Sequence, residues 1–149
     1  MKIALGSDHR GYKIKEKIKN FLFNSGRKVK DFGCFSEDSC DYPDYALPVG
    51  KNVSEKKFNC GILFCATGIG MSIVANKVPG IRAALCLNKE MAKFSREDNQ
   101  ANVLCLPANF LSLKEMKEII KIWLNTKFVG GRHKRRVNKI IKIERNYLK

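Results

Sequence analysis

The sequence predicts an α/β protein: a parallel sheet of five strands, covered by helices on both faces and followed by a C-terminal helical extension. Short apolar runs alternate with longer amphipathic segments along the chain, which is the pattern of repeated strand–helix units. Several of these runs are almost wholly apolar, for example Gly61-Ile62-Leu63-Phe64, as expected for strands buried on both faces. We expect the 149 residues, 1–149, to form one domain.

The individual helices and strands are predicted from the spacing of apolar residues and from the glycines and prolines that end them. Apolar Ile14, Ile18, Phe21 and Leu22 recur at helical spacing, and Ser25-Gly26 ends that helix. Strands are predicted at residues 2–6, 29–32, 60–65, 82–87 and 103–106. Helices are predicted at residues 11–24, 46–55, 89–97, 113–124 and 134–147, with a short helix through Ala75 after the glycine turn and a loop at 33–44.

The charge and cysteine content narrow the possible functions. The net charge is +15, and residues 127–149 hold nine Lys or Arg and one acid. Such a segment could bind nucleic acid, but we favour a smaller anion such as phosphate for part of it. The six cysteines form no C-x-x-C pair and accompany only two histidines, which argues against a zinc site. Cys86 and Cys105 lie inside apolar runs and are expected to be buried and inert.

The N-terminal segment and the hydropathy give an expected location. The segment is charged too early to be a signal peptide, and no apolar run approaches the roughly 20 residues of a membrane-spanning helix. We therefore expect a cytoplasmic protein without a membrane partner, in which a disulfide framework is also disfavoured.

The strongest candidate site is the stretch Cys65-Ala66-Thr67-Gly68-Ile69-Gly70. Ligands of open α/β sheets bind at the carboxyl ends of the strands, and Cys65 ends the third strand. The glycines allow a tight turn whose backbone N–H groups can face an anion and favour a thiolate beside them. This combination predicts a base or nucleophile next to a site for a developing oxyanion.

Two further segments carry candidate residues. Asp8-His9 follows the first strand, where Asp8 could cap a helix and His9 could contact a phosphate or act as an acid. Arg132 and Arg136 are four residues apart at the start of the last helix and share one face, a spacing suited to one phosphate.

Together these motifs resemble one family in order and spacing. The chain is similar over nearly its whole length to type B ribose-5-phosphate isomerases, within the ribose/galactose-6-phosphate isomerase family. The resemblance rests on the motifs S-D-H-R-G-Y, D-Y-P-D-Y-A, C-A-T-G-I-G-M-S-I-V-A-N-K, G-I-R-A-A and G-G-R-H-K-R-R-V. It implies a Rossmann-like αβα sandwich, no metal or organic cofactor, and a homodimer with active sites shared between subunits, with a tetramer of two such dimers as the alternative assembly.

The resemblance also implies roles for individual residues. Cys65 matches the base that moves a proton between C1 and C2 of an open-chain sugar phosphate, and Thr67 belongs to the same catalytic loop. The backbone of Ala66 to Gly70 matches the loop that stabilises the enediolate. The matching substrate contacts are Asp8, His9, Tyr42, Asn99, Arg132 and Arg136.

The sequence departs from the family at two positions. Asp98 stands where the family has the histidine that opens the sugar ring, so either Asp98 or His9 is expected to serve that step. Asn109 stands where an arginine commonly helps bind phosphate. The leading hypothesis is isomerisation of D-ribose 5-phosphate and D-ribulose 5-phosphate in the pentose phosphate pathway. The alternatives are an allose or galactose 6-phosphate isomerase and a basic binding protein with weakened catalysis.

Overall fold

The computed structural model describes residues 1–148, so Lys149, the last residue of the basic segment, lies outside the described residues. Five strands form an all-parallel sheet in the order β2-β1-β3-β5-β4. They are β1 (Lys2–Ser7), β2 (Lys28–Asp31), β3 (Cys60–Cys65), β4 (Ala83–Leu85) and β5 (Val103–Pro107). This arrangement confirms the α/β class and the five parallel strands.

Six helices connect and extend the sheet. They are α1 (Tyr12–Asn24), α2 (Pro43–Ser54), α3 (Ile69–Ala75), α4 (Lys89–Glu97), α5 (Leu113–Asn125) and α6 (Arg132–Tyr147). Within residues 1–148, none of these helices is both long enough and apolar enough to cross a membrane.

Alternate residues of the central strands enter two separate cores, one on each face of the sheet. On one face, residues such as Ile62 and Phe64 of β3 pack with α1, α4 and α5. On the other face, Leu63 and Cys65 of the same strand pack with α2 and α3. Since β3 is central and fully buried, both faces must be apolar, which explains its uninterrupted hydrophobic run. The period of two also directs the Cys65 side chain toward α2 and α3.

The largest differences from the predicted elements concern β4 and α2, and the other bounds agree to within two residues. The fourth strand is only Ala83–Leu85 and is partly buried, because it lies at the edge of the sheet and has one neighbouring strand. The helix expected at residue 46 begins at Pro43, and Pro48 lies inside it. Proline is tolerated at the first helical position, whereas Pro48, the sixth helical residue, removes the one intrahelical bond that its N–H would have donated.

A buried ion-pair cluster supports the carboxyl end of β1. Lys15 has no exposed side-chain surface and pairs with Asp31 at the end of β2. Burial alone would raise the pKa of the Asp31 carboxyl, but hydrogen bonds from Lys15, from a backbone N–H and from Lys19 hold it below its ordinary value. Asp31 Oδ1 accepts from Gly33 N at 2.9 Å, and Gly33 O in turn accepts from Ser7 N at 2.6 Å. The cluster therefore fixes the segment just before Asp8.

Candidate active site

Cys65 lies in the setting that the sequence predicted, at the end of β3 and 5% exposed. Its Sγ accepts a hydrogen bond from Gly68 N at 3.1 Å, which stabilises negative charge on the sulfur. Gly68 has a φ of 72° and begins the turn into α3, so the left-handed backbone aims this N–H back at the thiol. Thr67 Oγ1 accepts from Ile69 N at 3.2 Å and holds the next peptide of the loop.

The other cysteines of the sheet have no such partner among the described residues and are deeply buried. Burial raises the pKa of Cys60 and that of Cys86 to about 11 each. Burial likewise raises the pKa of Cys105 well above its ordinary value. These thiols stay protonated at neutral pH, so the burial expected for Cys86 and Cys105 is confirmed, and their inertness stays a prediction.

Two more loops meet the Cys65 turn at the carboxyl edge of the sheet. Asp8 N donates to Phe64 O at 3.2 Å, which fastens the β1–α1 loop to the end of β3. Gly11 permits this approach, because a Cβ there would lie 2.5 Å from Phe64 O. From the β5 side, Asn109 N donates to Ala66 O at 3.0 Å. The Asn109 side chain is exposed beside the loop.

Asp8 and His9 are both held in place by backbone groups. Asp8 Oδ1 accepts from Arg10 N at 2.9 Å and from Gly11 N at 3.0 Å. Asp8 therefore caps the turn before α1, whereas the N-cap residue of α1 itself is Gly11. His9 Nδ1 accepts from Cys40 N at 3.3 Å, which leaves Nε2 to face a ligand. No sequence signal pointed to Cys40, because it lies in an irregular loop.

Tyr42 lies against the same loop through Gly70. A Cβ at Gly70 would come within 2.8 Å of the Tyr42 ring, so the glycine makes room for the aromatic side chain. Tyr42 is 40% exposed at the N-terminus of α2. The carboxyl edge thus brings together Cys65, Asn109 and eight other predicted site positions: Asp8, His9, Tyr42, Ala66, Thr67, Gly68, Ile69 and Gly70.

The remaining predicted residues lie at the opposite, amino edge of the sheet. Asp98 and Asn99 follow α4 and precede β5, whereas Cys65 pairs in register with Pro107 at the far end of β5. The length of β5 separates the two groups by about 13 Å along the strand direction. Arg132 and Arg136 begin α6 at the same amino edge, and both are exposed. A single chain therefore holds two half-sites that do not meet.

A pair that the sequence did not reveal joins α4 to α6 at the amino edge. His133 Nε2 lies 3.4 Å from Asp98 Oδ1, and the His133 side chain is 13% exposed. Val129 N also donates to Glu97 O at 3.2 Å, so the segment before α6 is bound to the end of α4. The G-G-R-H motif contained His133, but its partner is 35 positions away in the chain and only folding brings the two together.

Concave regions border both half-sites. At the carboxyl edge a cavity of about 440 Å³ is lined by the Cys65 loop at Thr67 and Ile69 and by apolar Leu85, Leu87 and Phe110. At the amino edge a cavity of about 460 Å³ includes Asn99, Arg82 and apolar residues of α6. Over residues 1–148, the His, Cys, Asp and Glu side chains form no group of three or more that could hold a metal ion.

Known proteins share both the sequence and the fold. The sequence pattern described as Ribose/Galactose Isomerase matches residues 3–140. A putative sugar phosphate isomerase of Bacillus subtilis is 45% identical over 149 residues, covering 99% of this chain and 100% of the relative. Ribose-5-phosphate isomerase B of Escherichia coli is 42% identical over 143 residues, covering 96% of each chain.

Solved structures agree with these relatives. Ribose-5-phosphate isomerase B of Clostridium thermocellum superposes with a TM-score of 0.97 at 49% identity, covering 99% of each chain. The Mycoplasma genitalium enzyme of the same name, with ribulose-5-phosphate bound, gives a TM-score of 0.93 at 38% identity, covering 97% of this chain and 96% of that one. The chain belongs to the ribose/galactose isomerase family.

Proposed function

We propose that this protein interconverts D-ribose 5-phosphate and D-ribulose 5-phosphate. The observation that carries the proposal is the Cys65 thiol at the carboxyl edge, hydrogen-bonded to Gly68 N and adjacent to the Asp8-His9 loop. Relatives named ribose-5-phosphate isomerase B support the choice of substrate. We place the activity in the cytoplasm and assign it to one domain, residues 1–149.

The proposed chemistry needs a base and a stabilised oxyanion. Cys65, as thiolate, takes a proton from C2 of the open-chain aldose, which gives a 1,2-enediolate. The hydroxyl proton passes from O2 to O1, and Cys65 returns its proton to C1 to form the ketose. Loop N–H groups stabilise the enediolate oxygen. The N–H groups of Gly68 and Ile69 are engaged by Cys65 and Thr67, so an oxyanion would compete with those partners for them. Asp8 contacts the sugar hydroxyls, and His9 contacts the phosphate through Nε2.

A complete site on this proposal takes its second half from another copy of the chain. Asp98, Asn99, Arg132 and Arg136 lie too far from Cys65 in one chain to touch the same pentose. Apolar side chains are exposed near both edges, including Ile69 and Phe110 at one and Ile143 and Tyr147 at the other. Contact between copies would cover such surface and is favoured by its burial. The arginines of one subunit then bind the phosphate in the site of the other.

The direct test is an isomerase assay of Cys65→Ala beside Cys105→Ala. Both residues are buried cysteines on the same face of the sheet, so the two variants remove equal volume from one core. We expect Cys65→Ala to lose at least about a thousandfold in kcat, and Cys105→Ala to keep near-wild-type kcat. Ribose 5-phosphate, allose 6-phosphate and galactose 6-phosphate should be compared. A retained rate in Cys65→Ala would rule out the assigned base, and higher kcat/KM on a hexose phosphate would reassign the substrate.

Mixing two variants that are both inactive at low substrate concentration tests the shared site. Cys65→Ala damages only the carboxyl edge, and an Arg132→Ala, Arg136→Ala double variant damages only the amino edge. A mixed dimer would regain one intact site, so statistical subunit exchange should restore about a quarter of wild-type activity. No recovery after confirmed exchange would show that each site is built from one chain.

A further inference from the structure

We propose that His133, held by Asp98, is the group that opens the furanose ring of the sugar phosphate. The inference rests on the proposed isomerase function and on its shared site. Its basis is the contact between His133 Nε2 and Asp98 Oδ1 at 3.4 Å, at the same edge as Arg132, Arg136 and Asn99.

The geometry suits a carboxylate-oriented imidazole. The Asp98 carboxylate lies within ion-pair distance of Nε2, and in the tautomer that carries its proton on Nε2 the lone pair of the neutral ring lies on Nδ1. Within residues 1–148, every buried side-chain nitrogen or oxygen has a hydrogen-bond partner. His133 Nδ1 has no partner among those residues, so this atom is not buried and can be reached from outside. The side chain is only 13% exposed, which restricts the access of water to the ring.

Ring opening needs a proton moved from one oxygen of C1 to the other. His133 Nδ1 takes the proton of the anomeric hydroxyl while the C1–O1 double bond forms and the C1–O4 bond breaks, its electron pair going to O4. The imidazolium, stabilised by Asp98, then gives the same proton to O4 as the C4 hydroxyl. Both oxygens are bonded to C1, so one nitrogen can reach both, and neither an oxidant nor a net proton is required.

The two other candidates for this step are less suited to it. A carboxylate alone, such as Asp98, can take the hydroxyl proton, but unlike an imidazole it has no N–H to donate to O4. The chain has only two histidines, and His9 lies at the carboxyl edge with its Nδ1 accepting from Cys40 N. His133 is therefore the imidazole that lies beside Asp98, the residue at the position where the family has its ring-opening histidine. Asp98 is then a positioning residue.

The substrates themselves separate ring opening from isomerisation. Ribose 5-phosphate is mostly a furanose, whereas ribulose 5-phosphate carries its carbonyl at C2 and its phosphate on O5 and cannot close a furanose ring. A variant without ring opening must wait for ribose 5-phosphate to open in solution. It should still exchange the C1 proton of ribulose 5-phosphate with D2O, because Cys65 and the loop are intact.

The experiment compares full-length His133→Asn and Asp98→Asn with Lys134→Ala, an exposed neighbour on α6, after circular dichroism has confirmed folding. At limiting enzyme we expect His133→Asn to lose about a hundredfold in ribose 5-phosphate turnover. Its rate should stop rising with enzyme concentration once spontaneous opening is limiting. Exchange from ribulose 5-phosphate should stay within about twofold of wild type. Asp98→Asn should also lose turnover while keeping exchange, with a smaller loss than His133→Asn. Lys134→Ala should keep both turnover and exchange.

Each remaining outcome contradicts the proposal in a distinct way. Equal losses in turnover and exchange would show that His133 acts on the enediolate step or on the fold instead. Wild-type turnover in His133→Asn would remove it from ring opening altogether, and a split confined to Asp98→Asn would assign the step to the carboxylate. A wild-type protein inactive in both assays would overturn the isomerase function itself, and this inference with it.

Discussion

Replacing Gly68 with alanine tests whether the turn after β3 serves catalysis as well as folding. Gly68 has a φ of 72°, and a left-handed backbone costs an alanine about 1 to 2 kcal/mol. The new Cβ would also lie 2.5 Å from Leu85 Cδ1 and 3.3 Å from the Leu106 carbonyl carbon. The Leu85 methyl can move at the sheet edge, but the backbone of β5 cannot, so we add about 1 kcal/mol for repacking.

Gly26 provides the matched control, because its φ is 75° and a Cβ there would meet nothing within 4 Å. Urea unfolding should therefore show a loss of about 1 to 2 kcal/mol for Gly26→Ala and about 2 to 3 kcal/mol for Gly68→Ala. Shifting the Gly68 N–H away from Cys65 Sγ should also lower kcat by about a hundredfold in the coupled assay, while Gly26→Ala keeps wild-type kcat. Equal stability losses with wild-type kcat in Gly68→Ala would refute this reasoning.

Three other substitutions have calculable effects. Asp31→Asn should lower the free energy of unfolding by roughly 3 kcal/mol at pH 7, because it leaves a buried lysine without its main partner. Since the folded-state pKa of Asp31 is below 3.8, its contribution is present above that value and is lost as pH falls through the folded-state pKa, so the variant should converge on wild type in acid. Trp123→Phe should cost about 1 to 2 kcal/mol by circular dichroism, since Nε1 donates to Ser95 Oγ at 3.1 Å and the ring lies 4.7 Å from Arg96 Cζ. Arg136→Ala should raise KM for ribose 5-phosphate at least about tenfold with kcat largely kept, and an unchanged KM would remove Arg136 from the phosphate site.

Local sequence patterns were sufficient to predict most of the fold. The apolar run ending at Cys65 predicted a central strand, and the glycines after it predicted the turn. Both predictions were possible because the burial of the strand and the backbone conformation of the turn are determined by residues close together in the sequence. The short β4 was overestimated, because its place at the sheet edge depends on strand order. The start of α2 was predicted three residues too late, at 46 instead of Pro43, since proline can mark either a turn or a first helical position.

The site was less predictable where it depends on contacts between distant segments. The Asp8-His9 loop and the Cys65 turn follow neighbouring strands, so the topology alone brought them to one edge. Asp98 looked equivalent by motif, but it precedes β5 and so lies at the other edge. Its contact with His133 requires α6 to pack against the end of α4, and no local pattern encodes that packing.

The opposite-edge placement of the two half-sites has a consequence for how activity depends on concentration. On the proposed pairing, one chain alone has no complete site and two chains have two, so dissociation removes both sites in a single step. Specific activity should then fall on dilution in proportion to the dimer fraction, with no half-active species between. Substrate bound across the contact would in turn hold the subunits together, so the dilution needed to lose activity should rise with sugar phosphate concentration.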